Sequence, residues 1–337
     1  MYNRLYRYAL PLILLFASNP SFAATVWMTN GDQLTGEILM LDSGKVLLKT
    51  KHAGTVRIDS KQIKTLHSEQ RMRVRNDLFG EVITGELQAS DEDGYVLLNG
   101  HQLELKQLHQ AIPDKKLSLQ KDLVWSGNIT FSADYKRRDS DSDDYDFDID
   151  SKLRHGLWRH NYRLEYDYET KDKQTKTDKL MTSYALDRFM SERWFWQGKY
   201  KFNKDRLEDL NRQHSYATGP GFQFWDNELG SFSSAILYNY SELHYRSQGT
   251  ERIDSAGLNW DYQRFFAAKT IELFNKGEIS YPSSNSTRYL VDAEMGVRYK
   301  INSWFSLSAK AEWDRISSKN NESRNDRRYL IGAGVSW

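Results

Sequence analysis

From residue 124 onward, apolar and polar side chains alternate with a period of two, over segments too long for an ordinary soluble strand. Successive side chains of a strand point to opposite faces, so a strict alternation describes a sheet with one apolar and one polar side. In one segment Tyr289, Val291, Ala293, Met295, Val297 and Tyr299 share a face, and Arg288, Asp292, Glu294, Arg298 and Lys300 occupy the other. The first segment sets Trp125, Ile129, Phe131, Ala133 and Tyr135 against Ser126, Asn128, Thr130, Ser132 and Asp134. Twelve such segments are predicted: 124–135, 145–154, 158–169, 179–189, 193–204, 214–226, 230–242, 250–263, 266–280, 286–300, 303–315 and 327–337. Soluble strands usually run to ~5–6 residues, whereas a tilted membrane strand needs ~9–11. The pattern predicts an all-β chain, with an antiparallel transmembrane β-barrel of about twelve strands. The alternative is a large soluble β-sandwich, but its polar faces would then have to leave many charges in water.

The connections support the barrel. Short links fall at 155–157, 190–192, 226–229 and 301–303, and longer polar ones at 136–144, 170–178, 205–213, 242–249 and 316–326. Alternating short turns and longer loops, with an even strand number, is the bacterial pattern. Aromatics gather near strand ends: Trp125, Trp158, Trp194, Trp196, Trp225, Trp304 and Trp337, with many tyrosines. Such rings prefer the headgroup level, so a pair of aromatic girdles is expected. A mean hydropathy of −0.74 does not argue against this, because only alternate residues of a barrel are apolar.

The N-terminus points to export. Arg4 and Arg7 precede a short apolar stretch, Tyr8 to Ala17, and Ser21-Phe22-Ala23 fits a small-x-small cleavage site. Residues 1–23 are therefore expected to be a signal peptide cleaved after Ala23, leaving the barrel in a Gram-negative outer membrane. The chain has no cysteine, so a lipid-anchored cysteine, disulfides, thiol catalysis and thiolate metal sites are excluded.

Residues 24–121 form a separate unit with an internal repeat. Gly31-Asp-Gln-Leu-Thr-Gly-Glu-Ile38 matches Gly80-Glu-Val-Ile-Thr-Gly-Glu-Leu87, and Val46-Leu47-Leu48 matches Val96-Leu97-Leu98. Asn30-Gly31, Ser43-Gly44, Ala53-Gly54, Asp93-Gly94 and Asn99-Gly100 mark tight turns. Two small SH3-like or meander units are predicted, forming a periplasmic β domain. It would serve either as a docking module for an envelope partner or as a structural base for the barrel, which is assigned residues 122–337.

The chemistry-bearing residues lie on the polar face of the barrel strands. Asp146, Asp148, Asp150, Lys152 and Arg154 share one side of a strand, and Arg163, Glu165, Asp167 and Glu169 share one side of the next. With Arg288, Asp292, Glu294 and Arg298 they are candidates to line the lumen. They would act either as a pore lining that selects solutes or as a salt-bridge network that fills the interior. An ~8-stranded barrel is filled and ~16–18 strands leave a channel, so twelve leaves both open.

No catalytic, cofactor or metal site is expected. His214-Ser215 lacks the surrounding pattern of a barrel phospholipase, and the other histidines form no arrangement with a serine and a carboxylate. The acidic run Asp139 to Asp144 lacks the glycine and bidentate glutamate of a calcium loop, so a solvated outer loop is expected there. With 47 basic and 46 acidic residues, nothing suggests nucleic-acid binding. The expected partners are outer-membrane lipids and lipopolysaccharide, with an unidentified periplasmic partner for the N-terminal domain.

The last strand ends in an aromatic residue, with Gly332, Val335 and Trp337 placed as in the C-terminal signal read by the barrel-assembly machinery. Leu330 departs from that pattern, which more often has a polar residue there. Trp27-Met-Thr-Asn-Gly-Asp-Gln-Leu-Thr-Gly-Glu37, Gly54-Thr-Val-Arg-Ile-Asp59 and Gly332-Ala-Gly-Val-Ser-Trp337 resemble an uncharacterised family of salt-induced outer-membrane proteins, domain-of-unknown-function family 481. The resemblance covers most of the mature chain. It implies an outer-membrane barrel and no defined activity. The leading expectation is a porin-like channel or salt-stress envelope protein. A non-conducting structural or docking barrel comes second, and an outer-membrane hydrolase third.

Overall fold

The computed structural model describes residues 24–76, 82–114, 123–137, 141–247, 249–283, 287–318 and 323–337. The expected signal peptide lies outside them. Every long element is a strand. β10 (Val124–Arg137) to β21 (Arg324–Ser336) pair in sequence order, and β21 closes on β10 to form an antiparallel ring of twelve. All twelve predicted segments are present. The strands are longer than their apolar cores, running from 12 residues in β14 (Trp194–Asp205) to 18 in β15 (Leu210–Asn227).

Two expected outer loops are hairpins instead. β12 (Trp158–Lys171) and β13 (Gln174–Phe189) stay paired to a two-residue turn, and Asp172 and Lys173 both adopt positive φ. Asp141–Asp144, expected in a loop, begins β11 (Asp141–His155) and pairs with β10 and β12. Asp139 and Ser140 lie outside the described residues. Polar side chains disfavour neither outcome, because a strand that outruns its apolar belt meets solvent on both faces.

The seam is the shortest ladder of the ring. β10 and β21 pair over Asn128–Ser132 against Gly332–Ser336, and reciprocal Gly127–Trp337 backbone bonds extend it. Glycine allows this approach: a Cβ on Gly334 would stand 2.2 Å from the Ile129 carbonyl oxygen, and one on Gly127 would meet the Trp337 ring.

The N-terminal module holds β1 (Ala24–Met28), β2 (Gln33–Asp42), β3 (Lys45–Lys49), β4 (Thr55–Asp59), β5 (Ile63–Asn76), β6 (Val82–Ala89), β7 (Tyr95–Leu98), β8 (His101–Glu104) and β9 (Leu108–Pro113). The sequence repeat is a structural one. Three strands, a 3₁₀ turn and a crossing strand occur as β2–β5 and again as β6–β9. The two crossing strands pair with each other, and β1, β2, β9 and β5 form a closed ring around Val26, Leu41, Leu66, Met72 and Ala111. Half a core in each copy explains why the repeat comes as a pair.

The barrel reverses this burial. Its outward face exposes Phe131, Ile236, Leu258, Met295, Val297 and Ile331, the last 80% accessible, while Asp187 on the inner face is 0% accessible. The N-terminal module, with its apolar core, does the opposite.

Candidate functional site in the barrel lumen

Each lumen-facing charge follows from strand parity. In β11, Asp146, Asp148, Asp150, Lys152 and Arg154 stand opposite Asp167, Glu165, Arg163, Asn161 and Arg159 of β12, so one face of a strand pair collects ten polar side chains. Neighbouring strands alone would pair few of these charges. Their partners come from across the ring.

Nearest the module, Arg159 Nε donates to Asp187 at 2.6 Å, and Asn161 and Gln197 donate to the same carboxylate at 3.1 and 2.6 Å. Arg154 pairs with Asp226. Both guanidiniums lie over the Phe189 ring, and Arg159 also lies over Phe195. These phenylalanines pack with Ala235 and Leu237 as an apolar knot inside the lumen. On the other wall Arg298 donates to Glu272 at 2.7 Å, and Gln263 joins the same carboxylate.

Just beyond this layer, the pairs span the lumen. Lys152 of β11 meets Asp261 of β17 at 3.4 Å, six positions away on a ring of twelve. Lys276 reaches Asp150 at 2.7 Å and Glu294 at 3.7 Å, Arg163 bonds both Glu165 and Glu294, and Lys201 meets Asp292 at 3.0 Å. Lys199 pairs with Glu278. Farther from the module, Lys310 joins Asp148 and Glu312, and Arg328 joins Asp146, Asp167 and Glu312. Buried charges are tolerated only when paired, and here all but Glu165, which bonds Arg163 of its own strand, take a partner from another strand.

Of the sequence-chosen candidates, Asp146, Asp148, Asp150, Lys152, Arg154, Arg163, Glu165, Asp167, Asp292, Glu294 and Arg298 meet in this network. Arg288 does not: it is exposed at the outer end of β19 (Thr287–Lys300), beside a register shift. Arg159, Asp187, Lys201, Asp261, Glu272, Lys276, Lys310 and Arg328 also join the network and are not among the sequence candidates. Alternation on each strand would have found them, since every one shares the parity of its strand's polar face.

The ring also places the aromatics. Trp125, Trp158, Trp194, Trp196, Trp225, Trp304 and Trp337 all lie at the module end, so they form one belt and not two. The far end carries Tyr166, Tyr168, Tyr216, Tyr238 and Tyr329 on the outward face. At the seam, Gly332 and Val335 pair with Ser132 and Ile129, and Trp337 packs edge-on against Trp125. His214 and Ser215 are adjacent and face opposite sides. His214 meets Tyr200 on the outer face, and Ser215 meets Ser241 on the inner one, so they cannot act together.

The module sits on this belted rim. Asp42 accepts from the Ala268 amide at 3.0 Å, and Arg57 donates to the Ala268 carbonyl at 3.3 Å. Ala267, Ala268 and Lys269 all have positive φ, so the turn they form presents its backbone to the module. Met40, Leu47 and Ile112 close over Leu229 of the neighbouring turn. A cavity of about 790 Å³ remains, lined by Leu39, Leu47 and Arg57 of the module and by Asp226, Glu272, Lys300 and Lys152 of the barrel.

Among solved structures, the outer-membrane channel DcaP of Acinetobacter baumannii is similar at 9% identity and a TM-score of 0.35, over 64% of this chain and 97% of that one. The NanC porin is similar at 7% and 0.37, over 63% and 98%. The translocator domain of the autotransporter NalP from Neisseria meningitidis is similar at 10% and 0.33, over 64% and 88%. Likenesses of this strength say nothing about function, and the barrel stands on its own closed ladder. No curated protein matches the chain. A family model, described as a protein of unknown function, matches residues 129–337, the barrel without the module. By that match over most of its length, this chain belongs to the DUF481 family.

Proposed function

We propose that this chain is an outer-membrane β-barrel protein held shut, a structural or docking barrel in place of an open pore. The observation that carries the reading is the Lys152–Asp261 pair, which joins strands six positions apart on the ring of twelve. Direct ion pairs that cross the lumen narrow it there. The membrane placement is supported by the exposed apolar outward face, the aromatic belt and strands of 12 to 18 residues. With an even strand number both ends of the barrel chain fall on the module's side, so the module is periplasmic once residues 1–23 have directed export. Insertion then uses the barrel-assembly machinery, and the far rim faces lipopolysaccharide.

A second reading, a gated channel, is favoured by the cavity of about 790 Å³, which runs from the module into the network and is lined by Lys152, Asp261, Asp150, Lys276, Arg163 and Glu294. Planar-bilayer recordings separate the two. The wild-type chain is expected to give no steady conductance. A variant carrying Lys152→Gln, Asp261→Asn, Lys276→Gln, Asp150→Asn, Lys201→Gln and Asp292→Asn is expected to conduct, because it removes three of the cross-lumen ion pairs while keeping polar side chains. Steady ohmic conductance of the wild type would overturn the closed reading. Conductance that opens and closes in the wild type would favour the gate.

A further inference from the structure

We propose that the N-terminal module grips the membrane beside the barrel, with Arg71, Arg73 and Arg75 of β5 binding the anionic headgroups of the adjoining leaflet. This rests on the membrane reading above. Along β5, Met72 and Val74 are buried in the module core and the three arginines alternate with them, exposed. Directly opposed residues of antiparallel strands share a face. Arg73 lies opposite Ile112 and Arg75 opposite Gln110 of β9, and Gln110 lies opposite Asp42 of β2. Ile112 packs on Leu229 and Asp42 holds Ala268, so the arginine face is the face that rests on the barrel rim.

The order of strands across that face gives the direction. Arg57 of β4, Leu47 of β3, Leu39 of β2 and Pro113 of β9 line the lumen cavity, and no residue of β5 does. Asp42 of β2 and Ile112 of β9 meet the rim turns, and β5 pairs with β9 on the side away from β2. Strands are spaced by ~4.8 Å, so the arginines stand one strand width beyond β9. None of them lines the cavity. On β6, Glu86, Thr84 and Val82 stand opposite the three arginines, so one carboxylate offsets part of the charge and Val82, 50% exposed, adds an apolar contact. A basic row with an apolar neighbour, at the end of the barrel that carries the aromatic belt, fits an anionic lipid surface.

The chain has no cysteine, so Val82→Cys supplies a single labelling site opposite Arg75. The full-length variant, carrying a fluorophore there, is reconstituted in nanodiscs whose lipids bear a headgroup nitroxide quencher. Quenching is expected to be several-fold stronger in discs containing phosphatidylglycerol than in pure phosphatidylcholine. It should fall to the phosphatidylcholine level in about 0.5 M salt, where screening is short-ranged, and likewise with Arg71→Gln, Arg73→Gln and Arg75→Gln combined. Should the triple variant not fold, the salt series on Val82→Cys alone decides. Quenching indifferent to lipid charge and salt in an inserted chain overturns this inference only. A chain that does not enter the discs overturns the membrane reading itself.

Discussion

Gly334→Val is expected to abolish closure of the barrel. A Cβ at this position would lie 2.2 Å from the Ile129 carbonyl oxygen and 3.1 Å from the Thr130 Cα, both backbone atoms that cannot rotate aside. The β10–β21 ladder pairs only Asn128–Ser132 with Gly332–Ser336, whereas β16 (Gly230–Tyr245) and β17 (Gly249–Phe266) pair along their whole lengths. A displacement at Gly334 therefore disturbs the middle of the weakest joint. Overpacking in a well-packed protein costs ~1–3 kcal/mol, and an opened seam would also leave backbone donors and acceptors unpaired at membrane depth. The compact, unboiled band in SDS gels should be lost. Ile331→Val, on the outward face at 80% exposure, should leave it intact.

Asp187→Ala is expected to be the most damaging single change inside the lumen. Its carboxylate is 0% exposed and accepts from Arg159, Asn161 and Gln197. Removing it strands the Arg159 guanidinium between Phe189 and Phe195, and loss of one partner of a buried pair costs about 3–5 kcal/mol. Urea unfolding in detergent should show a lower midpoint. The double variant Arg159→Met, Asp187→Leu should recover most of the loss, because a well-packed apolar pair replaces a buried ion pair at little cost. Equal losses in both variants would mean that packing, and not charge, governs this layer.

The barrel was legible because alternation is a property of single strands. Tyr289 to Tyr299 and the charges between them declare two unlike faces without reference to any other part of the chain. The network was only half legible for the same reason. Parity puts Asp150 and Lys276 on inner faces, but their 2.7 Å contact depends on how twelve strands curl into a ring. Turns were legible where glycine marks them, as at Ser43-Gly44 and Asn99-Gly100. They were misplaced where ordinary residues adopt positive φ. Ala267, Ala268 and Lys269 carry no turn signal, so alternation places the link before β18 (Ile271–Pro282) at 264–265, a few residues early. Asp172-Lys173 was likewise submerged in a long polar loop.

The docking of the module on the barrel left no mark in the sequence. Asp42 and Arg57 are ordinary strand charges until the Ala268 peptide is brought between them. The family match, which begins at residue 129, also leaves the module outside. The pairing of a family barrel with a repeated N-terminal unit is therefore a feature of this chain to be tested on the intact protein.

The central claim is that this chain is a membrane barrel closed by its own ladder. The most direct measurement is the gel mobility of the native chain from the outer-membrane fraction, with and without boiling in SDS. The account predicts an outer-membrane protein whose unboiled band migrates differently from the boiled one. A protein recovered in the soluble periplasmic fraction, with a single mobility, would contradict it.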